Sequence, residues 1–169
     1  MKLINHLKDT EYPFTRISCI REIARGVIIN DKGEVAILKT VSNDIFVRDC
    51  YELPGGGVNE KESLIDAFKR EAIEETGYEV KDIQDIGDVI DYYNLIEREN
   101  HNHYFLAHTS RFIGRKLEDY EQSLIQELLF VPIDEAIDLF TNKMFGPVGV
   151  LIKQRELPIL NIAKAMLNK

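Results

Sequence analysis

A chain of 169 residues is long enough for one domain with a sizeable core, and its apolar fraction of 44% and charged fraction of 30% are those of a folded globular protein. A net charge of −8 argues against a broad electrostatic footprint for nucleic acid, although a bound divalent ion reverses the local sign and leaves a nucleotide open. No run approaches the length of a membrane span, the opening MKLINHLKDTEYPF lacks the apolar stretch of a signal peptide, and Cys19 and Cys50 form no spacing motif; the expectation is a cytoplasmic protein with reduced thiols, away from membranes.

In chain order, Ile23 to Ile29 is rich in β-branched residues, residues 30–33 (NDKG) read as a turn, and Glu34 to Thr40 alternates before running apolar, which together predict a hairpin. Gly55, Gly56 and Gly57 predict a loop free to take unusual dihedrals. Asn59 has N-cap chemistry with Glu62 at capping-box spacing, so a helix is expected from there to about Thr76, with Gly77 at its C′ position. Strands follow around 87–93, 103–110 and 127–132, then a short amphipathic helix over 134–140. The segment 148–167 is helical in pattern, with Pro158 as a break or kink. Without regular βαβ alternation, the mixture points to an α+β or mixed-sheet sandwich and away from a Rossmann fold. No repeat or linker divides the chain, so residues 1–169 are read as one domain, with 1–15 an N-terminal extension and 147–169 a helical tail.

The chemistry concentrates in residues 69–77, KREAIEETG. Glu71, Glu74 and Glu75 share one helical face, where like charges repel. On a helical wheel they lie close to the apolar side formed by Leu64, Ala67 and Phe68, so desolvation adds to the repulsion. Something positive must meet them: an arginine, a lysine or a metal ion. Three carboxylates make a hard oxygen site of the kind that takes Mg²⁺ or Mn²⁺. The bland reading is a solvated charged face.

The 23 residues from Gly56 to Tyr78, GGVNEKESLIDAFKREAIEETGY, resemble the Nudix box, whose fixed positions are filled by Gly56, Glu62, Arg70, Glu71, Glu74, Glu75 and Gly77. Ala72 and Tyr78 occupy its apolar slots as mild departures. Seven fixed positions at ~7% usage each match by chance on the order of once in 10⁸ starts, which sets the bland reading aside. Looser likeness extends to RGVIINDKGEVAILK, YELPGGG and LLFVPIDEAIDLF, but not before about Arg16 or after about Gly146.

The resemblance implies a Nudix-type α/β/α sandwich with a mixed sheet. It also implies a pyrophosphohydrolase that uses water to cut the diphosphate linkage of a nucleoside diphosphate derivative: a nucleotide, a nucleotide sugar or a dinucleoside polyphosphate. Glu71, Glu74 and Glu75 become metal ligands and catalytic residues, joined by the Gly55 carbonyl, and Gly55 and Gly56 turn the backbone at the substrate. Arg70 becomes the catalytic-site arginine that holds a box glutamate in place. Glu62 is either an outer metal ligand or simply the capping-box acid. A further glutamate after the box serves many members as ligand or general base; Glu121 ranks first here, then Glu127, with Glu118 also available.

Other features are weaker. His101-Asn102-His103 reads as a turn with exposed histidines in preference to a metal pair. Tyr92-Tyr93 fits a strand end in the core, with Tyr93 also a candidate for stacking on a base. The proline that ADP-ribose hydrolases of the family often carry is absent near 91–95, and the tyrosine pair falls about where dinucleoside polyphosphate hydrolases place one. A small nucleotide derivative is preferred to RNA as partner, and a homodimer fits the resemblance without any feature that demands it. A Nudix-like nucleotide sensor is the alternative, although such modules usually lose box glutamates; a structural role is a third.

Overall fold

The computed structural model describes residues 2–42 and 48–168. The chain forms strands β1 (Leu3–Leu7), β2 (Cys19–Ile29), β3 (Glu34–Ser42), β4 (Arg48–Glu52) and β5 (Gly55–Gly57), then helix α1 (Leu64–Thr76). After it come β6 (Tyr78–Tyr93), β7 (Arg98–Phe112), α2 (Asp119–Leu124), β8 (Ile125–Pro132), α3 (Ile133–Asn142) and α4 (Gly146–Leu167). The sheet runs β1-β6-β7-β2-β3-β4, with β5 also on β2 and β8 on β3. Pairs β1/β6 and β2/β7 are parallel and the others antiparallel, so the sheet is mixed.

Alternation along β2 and β7 divides the core. Val27, Ile29, Tyr104 and Leu106 face one way, against Phe140 of α3 and Ile152, Ile159 and Leu160 of α4. Ala24, Ile28, Phe105 and Ala107 face the other way, against Ala67, Phe68 and Ala72 of α1. Helices on both faces of a mixed sheet make the expected α/β/α sandwich.

The predicted hairpin forms, with Ile29 opposite Val35. β3 then turns to β4 and β8, while the other half of β2 is paired by β5, Arg25 lying opposite Gly55 and Ile23 opposite Gly57. The glycine run expected as a loop is therefore a short strand. The space between the diverging strands is where the candidate site lies.

The structure corrects the expected helix start and adds detail at both ends of the chain. The N-cap of α1 is Ser63 and not Asn59; the Ser63 hydroxyl accepts from the Asp66 N–H at 3.1 Å, while Glu62 closes a separate turn by accepting from the Asn59 N–H at 2.9 Å. The N-terminal extension contributes β1 to the sheet edge beside β6. Of the break or kink expected at Pro158, the break is not found: helix α4 continues through it, and the missing N–H leaves one carbonyl of the preceding turn without its helical donor. Gly77 does close α1, at φ 82°, a left-handed conformation that glycine takes without a steric penalty.

Gly26 fixes the approach of α1 to the sheet, because a Cβ there would lie 2.5 Å from the Phe68 ring and 2.6 Å from the Phe105 carbonyl. Gly26→Ala is expected to destabilise the fold by roughly 1–3 kcal/mol, the usual range for overpacking, measured as a lowered urea midpoint at unchanged slope.

Candidate active site

Helix α1 carries the acids in because its inward face is built from small residues and one large one. With Ala67, Phe68 and Ala72 against the sheet, Glu71 and Glu75 are carried down to 5% and 6% exposure, while Glu74 stays half-buried at the rim. Gly56 makes the room: a Cβ at that position would sit 2.4 Å from Glu71 Oε1. Gly55 supplies a partner, its backbone N–H donating to Glu75 Oε2 at 2.6 Å.

Arg70 binds the group together. Its Nη1 donates to Glu71 Oε1 at 2.7 Å and to Glu74 Oε2 at 2.9 Å. Its Nε and Nη2 donate to the two oxygens of Glu62 at 2.9 and 3.0 Å, and Nη2 also reaches the Gly57 carbonyl at 2.8 Å. Glu62 is thus turned onto Arg70 as well as closing its own turn.

From the far end of the sequence, Glu121 on α2 meets Glu71 and Glu75, one carboxylate oxygen of each lying within 4.8 Å of the others. Its Oε2 also accepts the Glu118 N–H at 2.9 Å. Glu74 is not one of this trio. Glu127 is not brought in: it lies on β8 opposite Lys39, exposed, away from the cavity.

The electrostatics show what the trio lacks. Burial pushes the Glu71 carboxyl above its ordinary range, with Arg70 opposing. Burial and then the charge of Glu71 push Glu75 well above it, opposed by the Gly55 N–H and by Arg25. Burial raises Glu121 as well. Glu62, gripped by Arg70, is lowered. Arg70, shared among several carboxylates, and the more distant Arg25 do not compensate a trio of two buried acids and one half-buried, and a hard divalent cation coordinated by oxygen fits the deficit.

The acids line a cavity of about 350 Å³ that also carries a basic set, Arg21 and Arg25 from β2, Arg48 from β4 and Arg98 from β7. Tyr93, carried as a substrate-binding residue, lies on this wall at 8% exposure. Tyr92 is outside it, its ring stacked on His6 at 5.5 Å between centroids.

Beneath the basic end is a buried charge network. Arg48 and Arg25 share Glu52 at 2.7 and 3.6 Å. Arg155 pairs with Glu156 at 2.7 Å and lies 3.7 Å from Asp91. Sequence reading missed these residues; the available signal was an arginine inside an otherwise apolar strand, as Arg25 is in IARGVII. The histidine pair is also corrected: His101 and His103 lie mid-strand in β7, half-buried, and flank Glu22, with Glu99 and Asp88 on their outer nitrogens at 2.7 and 2.8 Å.

Comparison with known proteins bears on this arrangement. The family model described as NUDIX domain matches residues 20–148. A CMP-5'-(N-acetyl-N-hydroxy-3-aminopropyl)phosphonate hydrolase of Streptomyces rubellomurinus is 32% identical over 99 residues, a match covering 57% of this chain and 46% of that protein. The aligned stretch therefore spans about half the length of that curated relative. Among solved structures, a NUDIX hydrolase from Nitrosomonas europaea superposes with a TM-score of 0.59 at 20% identity, over 72% of this chain and 78% of its own. A MutT protein from Methanosarcina mazei Go1 gives 0.59 at 20% identity, over 88% and 96%. At these identities the two structures speak to the fold alone.

A carboxyl raised on folding favours the protonated native state, so its contribution to stability is full below the ordinary value of about 4.5 and is lost as pH rises through the folded value. Metal-free wild type is therefore expected to lose stability relative to Glu75→Gln as pH climbs from about 4.5 toward neutrality. Mg²⁺ or Mn²⁺ should restore wild type and not the variant. Urea unfolding across pH, with and without metal, measures both.

Proposed function

The chain belongs to the NUDIX domain family, and on that premise we propose that it hydrolyses the diphosphate linkage of a nucleoside diphosphate derivative, with water as nucleophile. The observation that carries this reading is the meeting of Glu71, Glu75 and Glu121 in a cavity also lined by arginines. An acidic cluster alone would repel a diphosphate. Beside a basic wall, it fits a cation and a polyanion bound together.

Glu71, Glu75 and Glu121 would hold Mg²⁺ or Mn²⁺, with the Gly55 carbonyl as a further ligand and Glu74 at the rim. The ion supplies charge neutralisation for the diphosphate and a more acidic attacking water. The protein's own part is positional. Arg70 locks Glu71 and Glu74 by charge-assisted bonds, and the Gly55 N–H fixes Glu75. Glu121 is the candidate to receive the water's proton.

The partner we assign is a free nucleotide derivative, supported by the modest volume of the cavity and by the chain's acidic charge. Among the described residues no helix is long and apolar enough to cross a membrane. Cys19 and Cys50 form no disulfide, and we place the protein in a reducing, cytoplasmic setting.

Phosphate release from nucleoside triphosphates, nucleotide sugars, ADP-ribose and dinucleoside polyphosphates tests the reading. Turnover should require Mg²⁺ or Mn²⁺ and vanish in the Glu74→Gln, Glu75→Gln double variant; turnover that survives it would place the chemistry elsewhere. Arg70→Met, which frees the glutamates without removing any, should lower kcat/KM by about 10–100-fold, the usual loss when groups supporting metal ligands are removed.

A further inference from the structure

The region matched by the family model ends at residue 148, whereas helix α4 runs on to Leu167. Within that further stretch Glu156 is fully buried, and its two carboxylate oxygens do different things. Oε1 takes Arg155, from Nη2 at 2.7 Å and Nε at 3.2 Å, with the Tyr104 hydroxyl at 3.5 Å and Arg25 Nη1 at 3.9 Å. Oε2 accepts the Leu53 N–H at 2.7 Å, across 103 residues of chain. Pairing with Arg155 does not need that reach, because the two are neighbours on one helix and Asp91 already lies 3.7 Å from Arg155. The bond to Leu53 is a separate tie, from α4 to the connection between β4 and β5.

That connection leads directly to the acids. The Leu53 carbonyl accepts from Arg25 Nη1 at 3.1 Å, so its peptide groups are held from both sides. Pro54 has no N–H and a φ fixed by its ring, and its carbonyl accepts the Gly26 N–H at 3.0 Å. The Gly55 N–H then donates to Glu75 Oε2 at 2.6 Å. Gly55 stands at φ 143°, and a Cβ there would lie 2.3 Å from the Ala24 carbonyl oxygen, so the backbone is pressed against β2. Little torsional freedom separates Leu53 from Gly55, and a shift of one is passed to the other. Among the described residues the Glu75 carboxylate takes no other hydrogen bond.

We propose that Glu156 is a positioning residue for the acidic end: from a helix outside the matched region it fixes Leu53, and through the Leu53–Gly55 backbone it fixes where Glu75 stands to hold a cation. This rests on the reading of Glu71, Glu75 and Glu121 as the ligands of that cation. A buried N–H that loses its acceptor costs enough to displace the segment carrying it, and a displacement of about 1 Å at a site costs on the order of 100-fold in function.

Mn²⁺ alone is the direct probe, titrated into the full chain without nucleotide; the binding assigned to the acidic end is that lost in the Glu74→Gln, Glu75→Gln double variant. Glu156→Leu offers Leu53 no acceptor, whereas Glu156→Gln keeps one and loses the charge pair. Removing Glu156 strands Arg155 in the core, which is strongly destabilising, so each variant is also made with Arg155→Met. Glu156→Leu, alone or with Arg155→Met, should bind Mn²⁺ about 10–100-fold more weakly and show faster hydrogen exchange at the Gly55 amide. Glu156→Gln with Arg155→Met should bind close to wild type despite a lowered urea midpoint. Ala163→Gly, two turns further along α4, should lose stability and keep its Mn²⁺ affinity. Undiminished affinity in Glu156→Leu, equal losses in the Leu and Gln variants, or a matching loss in Ala163→Gly would each overturn the proposal. Absence of turnover on every substrate, beside an Mn²⁺ affinity that depends on Glu156, would remove the hydrolase reading and leave the positioning role in place. No Mn²⁺ binding by wild type would remove the cation reading and this proposal with it.

Discussion

The guanidinium of Arg70 is the group on which the acidic end depends. Several carboxylates converge on it, and together they would drive α1 outward toward water if nothing positive lay between them. Arg70 spends its donors on Glu62, Glu71, Glu74 and the Gly57 carbonyl, tying α1 both to the turn before it and to β5. Among the described residues it makes no hydrogen bond to Glu75, which takes the Gly55 N–H and feels the more distant charge of Arg25. The division is chemically sensible. Acids that need orientation receive a fork of charged hydrogen bonds, and the acid buried most deeply beyond its reach keeps an unmet demand for positive charge.

The basic end has a corresponding anchor in α4. Glu156 is fully buried and accepts from the Leu53 N–H just before the glycine strand, while its neighbour Arg155 reaches toward Asp91 on β6. The C-terminal helix therefore sets the height of the β4–β5 segment and, through it, the position of Gly55 against Glu75. A buried ion pair contributes little net stability against an apolar substitute, but here it fixes the relative placement of strands that carry both ends of the cavity. The mixed sheet matters for the same reason: β2 presents Arg21 and Arg25 beside β5 because β3 has already turned away.

Much of the acidic end is legible in sequence because its spacing is local. Glu71, Glu74, Glu75 and Arg70 lie within one and a half turns of a helix whose C-terminal stop, Gly77, is also readable. Glu121 was reachable only by resemblance, since nothing near Asp119 to Leu124 states what it will face. The N-cap was misplaced because Asn59 and Ser63 both carry capping chemistry, and the turn between them uses the first. The histidine pair was misread because β7 is polar where it runs beside Glu22, so it does not show the apolar alternation of a strand. The basic end was not legible at all. Arg98, Arg25, Arg48 and Arg155 are brought together by pairings between distant parts of the chain, and no local pattern distinguishes an arginine aimed into a cavity from one aimed at water.

One consequence follows from the length of α2. Two members of the carboxylate trio ride on a thirteen-residue helix sunk into the core, and the third rides on six residues, none of them buried. A helix of six residues has little intrinsic stability and depends on what it touches. Were a cation to bind among the three acids, its apparent affinity would contain the free energy of ordering α2.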